Sequence, residues 1–344
     1  MKTVTLFNLF KNTKSVSFQH SLLLLASTTV ITHSLSAPSY AQSNDVHGFS
    51  GFPFNCSTPV ITSSTTNSRF NNDVSGSSHC IEDVSFNNSI TGSINTLGES
   101  TTNNDVSGSS NAIGNNGSNN SVTGVVNTLG TNADQNNVSG VGNNIGADSS
   151  ENIVGGGFNS LGNDNRSNSI NGSNNNIGNE NENNIISGFI NDIDNSNDAN
   201  IIGGRFNDLG NENEENIISG NSNNVLDNNQ SNIVSGTRND AGNENENNII
   251  SGSANDVGNE NENNIIGGFL NDVGNSNNSN SVNGVINTLG DNNFSNSVNG
   301  TRVDLGNDNS NNVISGSNNN IGDQNESNII SGSANDVGLS LIHI

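Results

Sequence analysis

A sixteen-residue period runs through most of this chain without an insertion or a deletion. Counted from an asparagine, the unit is Asn-x-Ile/Val-x-Gly-x-x-Asn-x-aliphatic-Gly and then five more residues, and units begin at every sixteenth residue from Asn72 to Asn328. The exceptions are His79 and Val303 at position eight and Glu82, Asp194 and Leu226 at position eleven. Position one is Asn, position three is Ile or Val and position five is Gly in all 17 units. Self-similarity at a fixed period is the signature of a repeat architecture, in which each unit contacts only its neighbours.

The chemistry of the unit selects among repeat architectures. Sixteen residues leave no room for a pair of helices, and Asn, Gly and Ser are poor helix formers. Positions one to three and eight to ten alternate polar and aliphatic residues, which is typical of short strands. A glycine follows each stretch and permits the positive φ of a tight corner. The pattern predicts an all-β, single-chain, flattened β-solenoid with two strands per coil and about 17 coils, roughly 80 Å long at about 4.8 Å per coil.

Stacked coils would bury aliphatic side chains that a single coil leaves exposed. The aliphatic residues at positions three and ten would form a continuous core, and the asparagines at positions one and eight would hydrogen-bond from coil to coil. Asparagine carries both a donor and an acceptor, so an identical neighbour satisfies it, whereas stacked aspartates would repel. We interpret these residues as structural and not catalytic. In one unit the predicted ladder consists of Asn248, Ile250, Gly252, Asn255, Val257 and Gly258.

Residues 1–41 have a different character. Three lysines precede an apolar run at 22–31, and the small residues Ser39 and Ala41 lie three and one before a cleavage point. This pattern predicts a secretory signal peptide, and the alternative is an organelle transit peptide because the stretch has no acidic residue. We therefore expect a secreted protein or one on the bacterial cell surface. No later run of about 18 apolar residues predicts a transmembrane helix.

Without the leader, 33 acidic residues remain against five arginines, a net charge of −28. Such a chain is excluded as a general nucleic-acid binder, because it has too few cations to neutralise phosphates. The acidic turns Glu244/Glu246 and Glu260/Glu262 stack in consecutive units and are candidate ligands for Ca²⁺, which takes six to eight oxygens. The alternative is a solvated turn without metal. No catalytic set and no other cofactor is predicted.

The two ends of the array interrupt the period. Residues 42–71 contain two of the three prolines and predict an N-terminal cap on a solenoid that spans 72–338. In a secreted protein, Cys56 and Cys80 predict a disulfide. Residues 339–344, LSLIHI, match one reading frame of a transposase-end adapter used in sequencing libraries. We interpret them as a non-biological tail of a truncated gene, and the alternative is a genuine apolar cap.

Position two should face outward in this fold, yet it is isoleucine in eight units. An outward apolar stripe predicts an interface. The alternative is a rounder coil, whose core these residues help to fill. The eight isoleucines are Ile153, Ile185, Ile201, Ile217, Ile233, Ile249, Ile265 and Ile329.

Units such as NSITGSINTLG (88–98) and NSVNGVINTLG (280–290) resemble the head repeats of trimeric autotransporter adhesins, the YadA-like heads, and the resemblance covers 72–338. It implies a bacterial surface adhesin that forms a homotrimer and binds a host or surface ligand. The alternation of Asn, Gly and aliphatic residues is also similar to the curlin repeats of amyloid fibres, although their glutamines are missing. We expect a non-enzymatic adhesin head or structural spacer, with a self-assembling extracellular fibre as the alternative.

Overall fold

The computed structural model describes residues 46–47, 72–82 and 84–338. Every regular element in this part of the chain is a β-strand, and from Asp73 onward consecutive strands of each sheet pair in parallel at an interval of sixteen residues. Ile250 pairs with Ile266, for example, and Val257 with Val273. The strands form two parallel sheets, so the predicted all-β solenoid of 16-residue coils is confirmed.

The first sheet consists of strands at positions two to six, with a shorter two-residue strand at each end, and the second sheet consists of two-residue strands at positions nine and ten. The strands of the first sheet are Val46–His47, Asp73–Ser77, Ser89–Ser93, Asp105–Ser109, Ser121–Val125, Asn137–Val141, Ile153–Gly157, Ser169–Ser173, Ile185–Phe189, Ile201–Arg205, Ile217–Asn221, Ile233–Thr237, Ile249–Ser253, Ile265–Phe269, Ser281–Val285, Ser297–Thr301, Val313–Ser317 and Ile329–Ile330. The strands of the second sheet are Cys80–Ile81, Thr96–Leu97, Ala112–Ile113, Thr128–Leu129, Asn144–Ile145, Ser160–Leu161, Asn176–Ile177, Asp192–Ile193, Asp208–Leu209, Asn224–Val225, Asp240–Ala241, Asp256–Val257, Asp272–Val273, Thr288–Leu289, Asp304–Leu305, Asn320–Ile321 and Asp336–Val337.

Each coil also has a third side, which the sequence pattern did not predict. Position fifteen forms a parallel bridge to the next coil, from Phe86↔Thr102 to Ser310↔Glu326. The residues at positions seven, thirteen and sixteen have φ between about +50° and +70°, and each comes directly before an inward-facing residue. The coil therefore has three left-handed corners.

The prediction that the glycine at position eleven forms a corner is wrong. Gly258 does not have a positive φ, whereas Ala254 at position seven has a φ of 55°. Glycine is needed at 258 because a Cβ there would lie 2.6 Å from Oδ1 of Asn275 in the next coil. Gly252 at position five does have a positive φ, 104°, and a Cβ there would overlap the carbonyl oxygen of Gly268. Close stacking of the coils therefore requires glycine at both positions. A positive φ, in contrast, requires glycine only at Gly252.

The core is one continuous cluster along the array. It consists of the aliphatic residues at positions three and ten, which are at most 2% exposed from Val74 to Ile321 except for the half-buried Ile81, together with Ala133 and Val303. Burying an aliphatic side chain of this size contributes about 1.5–3 kcal/mol. A single coil contributes two such side chains, so the solenoid is stable only as a stack.

The predicted cap region contains a partial repeat. Val46–His47 pairs with Val74–Ser75 in the register used by every later pair of coils. The sequence around it, NDVHG at 44–48, matches NDVSG at 72–76. The strand therefore covers the first-sheet edge of the first coil. The rest of 42–71, the leader and residues 339–344 lie outside the described residues. Nowhere in the described residues is there a helix long and apolar enough to cross a membrane.

Candidate functional surfaces

The asparagines at position one form a ladder directly after the left-handed corner at position sixteen. The backbone N–H and Nδ2 of Asn248 both donate to Oδ1 of Asn232, at 2.8 and 3.1 Å, and Nδ2 also donates to the carbonyl oxygen of Asn261 at 2.7 Å. Oδ1 of Asn248 accepts the same pair of bonds from Asn264. The amide thus adds a hydrogen bond to the backbone carbonyl at position fourteen, which an ionised aspartate at this position could not do.

The asparagines at position eight form a similar hydrogen-bonded ladder directly after the left-handed corner at position seven. Nδ2 of Asn255 donates to Oδ1 of Asn239 at 3.1 Å and to the carbonyl oxygen of Ser251 at 2.7 Å. In the first coil His79 replaces the asparagine. Its Nε2 lies 3.0 Å from the carbonyl oxygen of Ser75, and its Nδ1 accepts the backbone N–H of Asn95 at 3.3 Å. This pairing requires the neutral imidazole, and burial lowers the pKa of His79 accordingly, against the opposing effect of the Ser75 hydrogen bond.

A third ladder lies at position fourteen, and the sequence analysis missed it. In the acidic turn NENEN at 259–263, Asn261 is buried while Glu260 and Glu262 point to solvent. Nδ2 of Asn261 donates to the carbonyl oxygen of Gly274 at 2.9 Å, and its N–H donates to Oδ1 of Asn245 at 2.9 Å. A signal was present, because position fourteen is asparagine in all eleven units from 165 to 325 and is never charged.

The predicted calcium candidates lie on the outside of the third side. Glu244 and Glu260 occupy left-handed corners, and Glu246 pairs with Glu262 across adjacent coils. Asn and Ser side chains bond some of these carboxylates, as when Nδ2 of Asn278 donates to Glu262 at 2.9 Å. Within the described residues, no three His, Cys, Asp or Glu side chains are grouped closely enough to hold a metal ion. The calcium site stays a prediction.

A second acidic row follows the outer face of the second sheet. Asp240, Asp256 and Asp272 occupy position nine of consecutive coils and pair in register. Partial removal from water raises the pKa of Asp256, and repulsion from Asp240 and Asp272 raises it further. Removal from water also raises the pKa of Asp240, although Nδ2 of Asn224 donates to its carboxylate at 2.7 Å. The asparagine ladders of the coil interior keep these aspartates in register although their carboxylates repel each other.

The outer face of the first sheet is apolar over part of its length. The isoleucines at position two are exposed, from 39% at Ile233 to 57% at Ile153 within the array, and 83% at Ile329 in the last coil. The alternative of a rounder coil with these residues in its core is therefore wrong, because position two alternates with the buried position three. Phe189 and Phe206 lie on the same face and contact edge to face, with ring centroids 6.1 Å apart.

Cys80 begins the first strand of the second sheet, where it is buried and disulfide-bonded. Cys56, the predicted partner, lies outside the described residues. Arg166 makes an exposed ion pair with Glu151 at 3.8 Å, and such a pair contributes little to stability.

Comparison with known proteins does not assign this chain to a family. Neither a protein-family model nor a curated protein sequence matches this chain. Among solved structures, the crystal structure of UDP-N-acetylglucosamine O-acyltransferase (LpxA) from Moraxella catarrhalis RH4 is similar over 44% of this chain, with 15% sequence identity and a TM-score of 0.18. The likeness spans 60% of that enzyme's chain. A likeness this weak carries no argument about activity.

Proposed function

We propose that this protein is an exported, non-enzymatic β-solenoid that acts as a surface spacer or adhesin head. The observation that carries the proposal is the uniformity of the array. Every coil repeats the same three corners and the same core positions, and the interior is filled by aliphatic residues and hydrogen-bonded amides. Such an array gives length and three long outer faces, and its acidic residues lie in outward turns and in a row along the second sheet.

The fibre alternative is less well supported. Growth of a fibre would join open coil edges end to end. At the N-terminal end of the array, Val46–His47 already pairs with the first coil and occupies the edge of the first sheet. A fibre would have to displace that strand. An individual rod requires no such step.

Deleting whole coils tests the spacer. Removal of residues 216–231 joins position sixteen of one coil to position one of another, and it should shorten the particles seen by electron microscopy by about 4.8 Å without unfolding them. Deletion of 216–223 is the matched control, because it removes half a coil and breaks the register. Long fibres of the intact protein would favour the alternative. A defect in surface attachment confined to one particular deleted coil would indicate a local site and contradict a spacer.

Export is tested separately. The proposal expects the mature protein outside the cytoplasm to begin at residue 42, measured as the intact mass of the secreted or surface fraction. Retention of the full leader in a cytoplasmic product would contradict it.

A further inference from the structure

We propose that the outer face of the first sheet between Ser169 and Ser281 is a self-recognition surface, through which two copies of this chain pair face to face with their solenoid axes antiparallel. The central feature is an isoleucine row of six consecutive coils, each residue 39–49% exposed. The row pairs in register without interruption and is about 24 Å long at about 4.8 Å per coil. The isoleucine row consists of Ile185, Ile201, Ile217, Ile233, Ile249 and Ile265.

The charge distribution favours contact through this face and no other. Positions two, four and six contain no Asp or Glu from Asn137 to Ser333, and their one charged residue is Arg205. The acidic residues of the same stretch all lie between positions nine and sixteen, on the other two sides. Two strongly acidic chains repel each other, so they can approach closely only where acids are absent.

The order of residues at position two is the same in both directions along the face. Ser169 and Ser281 flank the isoleucine row, with Asn171 and Asn283 beside them at position four. A two-fold axis between the coils of Ile217 and Ile233 would place each isoleucine of one copy on an isoleucine of the other. Self-complementarity of one patch is what a two-fold interface requires. A threefold or parallel arrangement would not use this symmetry.

The variable residues also fit an antiparallel pair. At position six, Phe189 and Phe269 lie equally far from the centre and would meet each other. At position seven, the large Phe206 would meet the small Ala254. Arg205 would face a serine of the partner, so no arginine would lie opposite an arginine.

The size of the face matches a dimer of moderate affinity. Four residue steps along the strand give a width of about 13 Å, and side-chain margins extend the contact to roughly 30 by 20 Å. Each copy would then bury about 600 Å², or about 1,200 Å² in total, which is the lower limit for specific interfaces. Small residues such as Ser219 and Ser235 lie beside the row at position four, so they leave room for the isoleucines of the two copies to approach each other.

Sedimentation velocity of the intact protein tests the pairing. We expect a concentration-dependent dimer in the micromolar range. Ile217→Ser combined with Ile233→Ser should weaken dimerisation at least about tenfold, since exposed apolar area at the centre of the patch is lost. Serine occupies position two naturally at Ser281, so the variant should keep its circular dichroism spectrum. The control Phe294→Ser, on the third side, should dimerise like the wild type. A monomer up to about 100 µM, a trimer, or a dimer unaffected by the serines would overturn the proposal.

Crosslinking tests the orientation. Ser169 and Ser281 lie seven coils apart, about 34 Å, and flank the patch without belonging to the isoleucine row. In an antiparallel pair, a mixture of Ser169→Cys and Ser281→Cys proteins should form crosslinked dimers under mild oxidation, and neither variant alone should do so. Crosslinking of each variant with itself would show parallel axes and contradict the two-fold arrangement. Failure of this test leaves the spacer proposal standing, because a spacer can be monomeric.

Discussion

Replacing Asn248 with aspartate tests why the ladders are made of asparagine. The substitution changes one NH₂ group to an oxygen and leaves the shape of the side chain unchanged. It removes the donor that bonds Oδ1 of Asn232 at 3.1 Å and the carbonyl oxygen of Asn261 at 2.7 Å. Both acceptors are buried, and neither can turn to water.

The magnitude follows from these two contacts. Each acceptor keeps a backbone donor, because Oδ1 of Asn232 still accepts the N–H of Asn248 and the carbonyl oxygen of Asn261 still accepts the N–H of Glu246. The substitution therefore removes two hydrogen bonds of about 0.5–1.5 kcal/mol each, which gives a loss of about 1–3 kcal/mol in the free energy of unfolding. The new carboxyl must also be protonated or remain charged inside the ladder. Burial would raise its pKa, and the acid form would restore one O–H donor. Because the unfolded carboxyl titrates near pH 4, the loss should be smallest below about pH 4, increase as the pH rises and level off above the raised pKa.

The measurement is hydrogen exchange of the coil that contains Asn248, together with chemical denaturation at pH 3.5 and pH 7. Local exchange is informative because repeat arrays open in segments. Asn292→Asp is the matched control, since Asn292 is exposed at a left-handed corner where other coils carry aspartate, such as Asp308. Losses of similar size for the two variants, or a loss at Asn248 that does not depend on pH, would refute the ladder argument.

Three further substitutions, one with a matched control, test other parts of the coil. Ile250→Asp places an unpaired charge at a fully buried core position and should lower the free energy of unfolding by about 4 kcal/mol or more in chemical denaturation. The control Glu260→Gln, on the solvated third side, should change it by less than about 0.5 kcal/mol. Equal losses would show that the wrong face was placed inward. Asp256 has a raised pKa, so its stabilising effect is present below its ordinary value of 3.8 and is lost as the pH rises. Asp256→Asn should therefore raise the thermal midpoint at pH 7 by the equivalent of a few tenths of a kcal/mol, with no gain at pH 3. Ile286 has a φ of 58° and an exposed side chain, so Ile286→Asn should stabilise the protein by about 0.5–1 kcal/mol in urea denaturation, and a loss of stability would show that its side chain does more than occupy a strained corner.

The sequence determined the repeat, the fold class and the core positions. Positions one, three, five and eight are nearly invariant, and two strands with aliphatic residues can bury their side chains only against identical neighbours at the same interval. Stacking in register also explains why the ladder residue is asparagine. Each side chain in such a ladder contacts an identical side chain in the next coil, and the amide of asparagine can both donate and accept a hydrogen bond.

The tertiary structure decided the shape of the coil. Only two residues of the third side, positions fourteen and fifteen, lie between two left-handed corners. This stretch is too short for an alternating pattern to mark it, so the sequence of Asn261 resembles that of a polar turn. Corners at Ala254 or Ile286 also leave no sequence signal, since such residues avoid positive φ in isolation. They adopt it here because the ladder asparagine that follows each corner must point inward to hydrogen-bond the neighbouring coils. The same geometry turns the isoleucine row outward, because the direction of position two depends on where the corners begin and not on its own hydrophobicity.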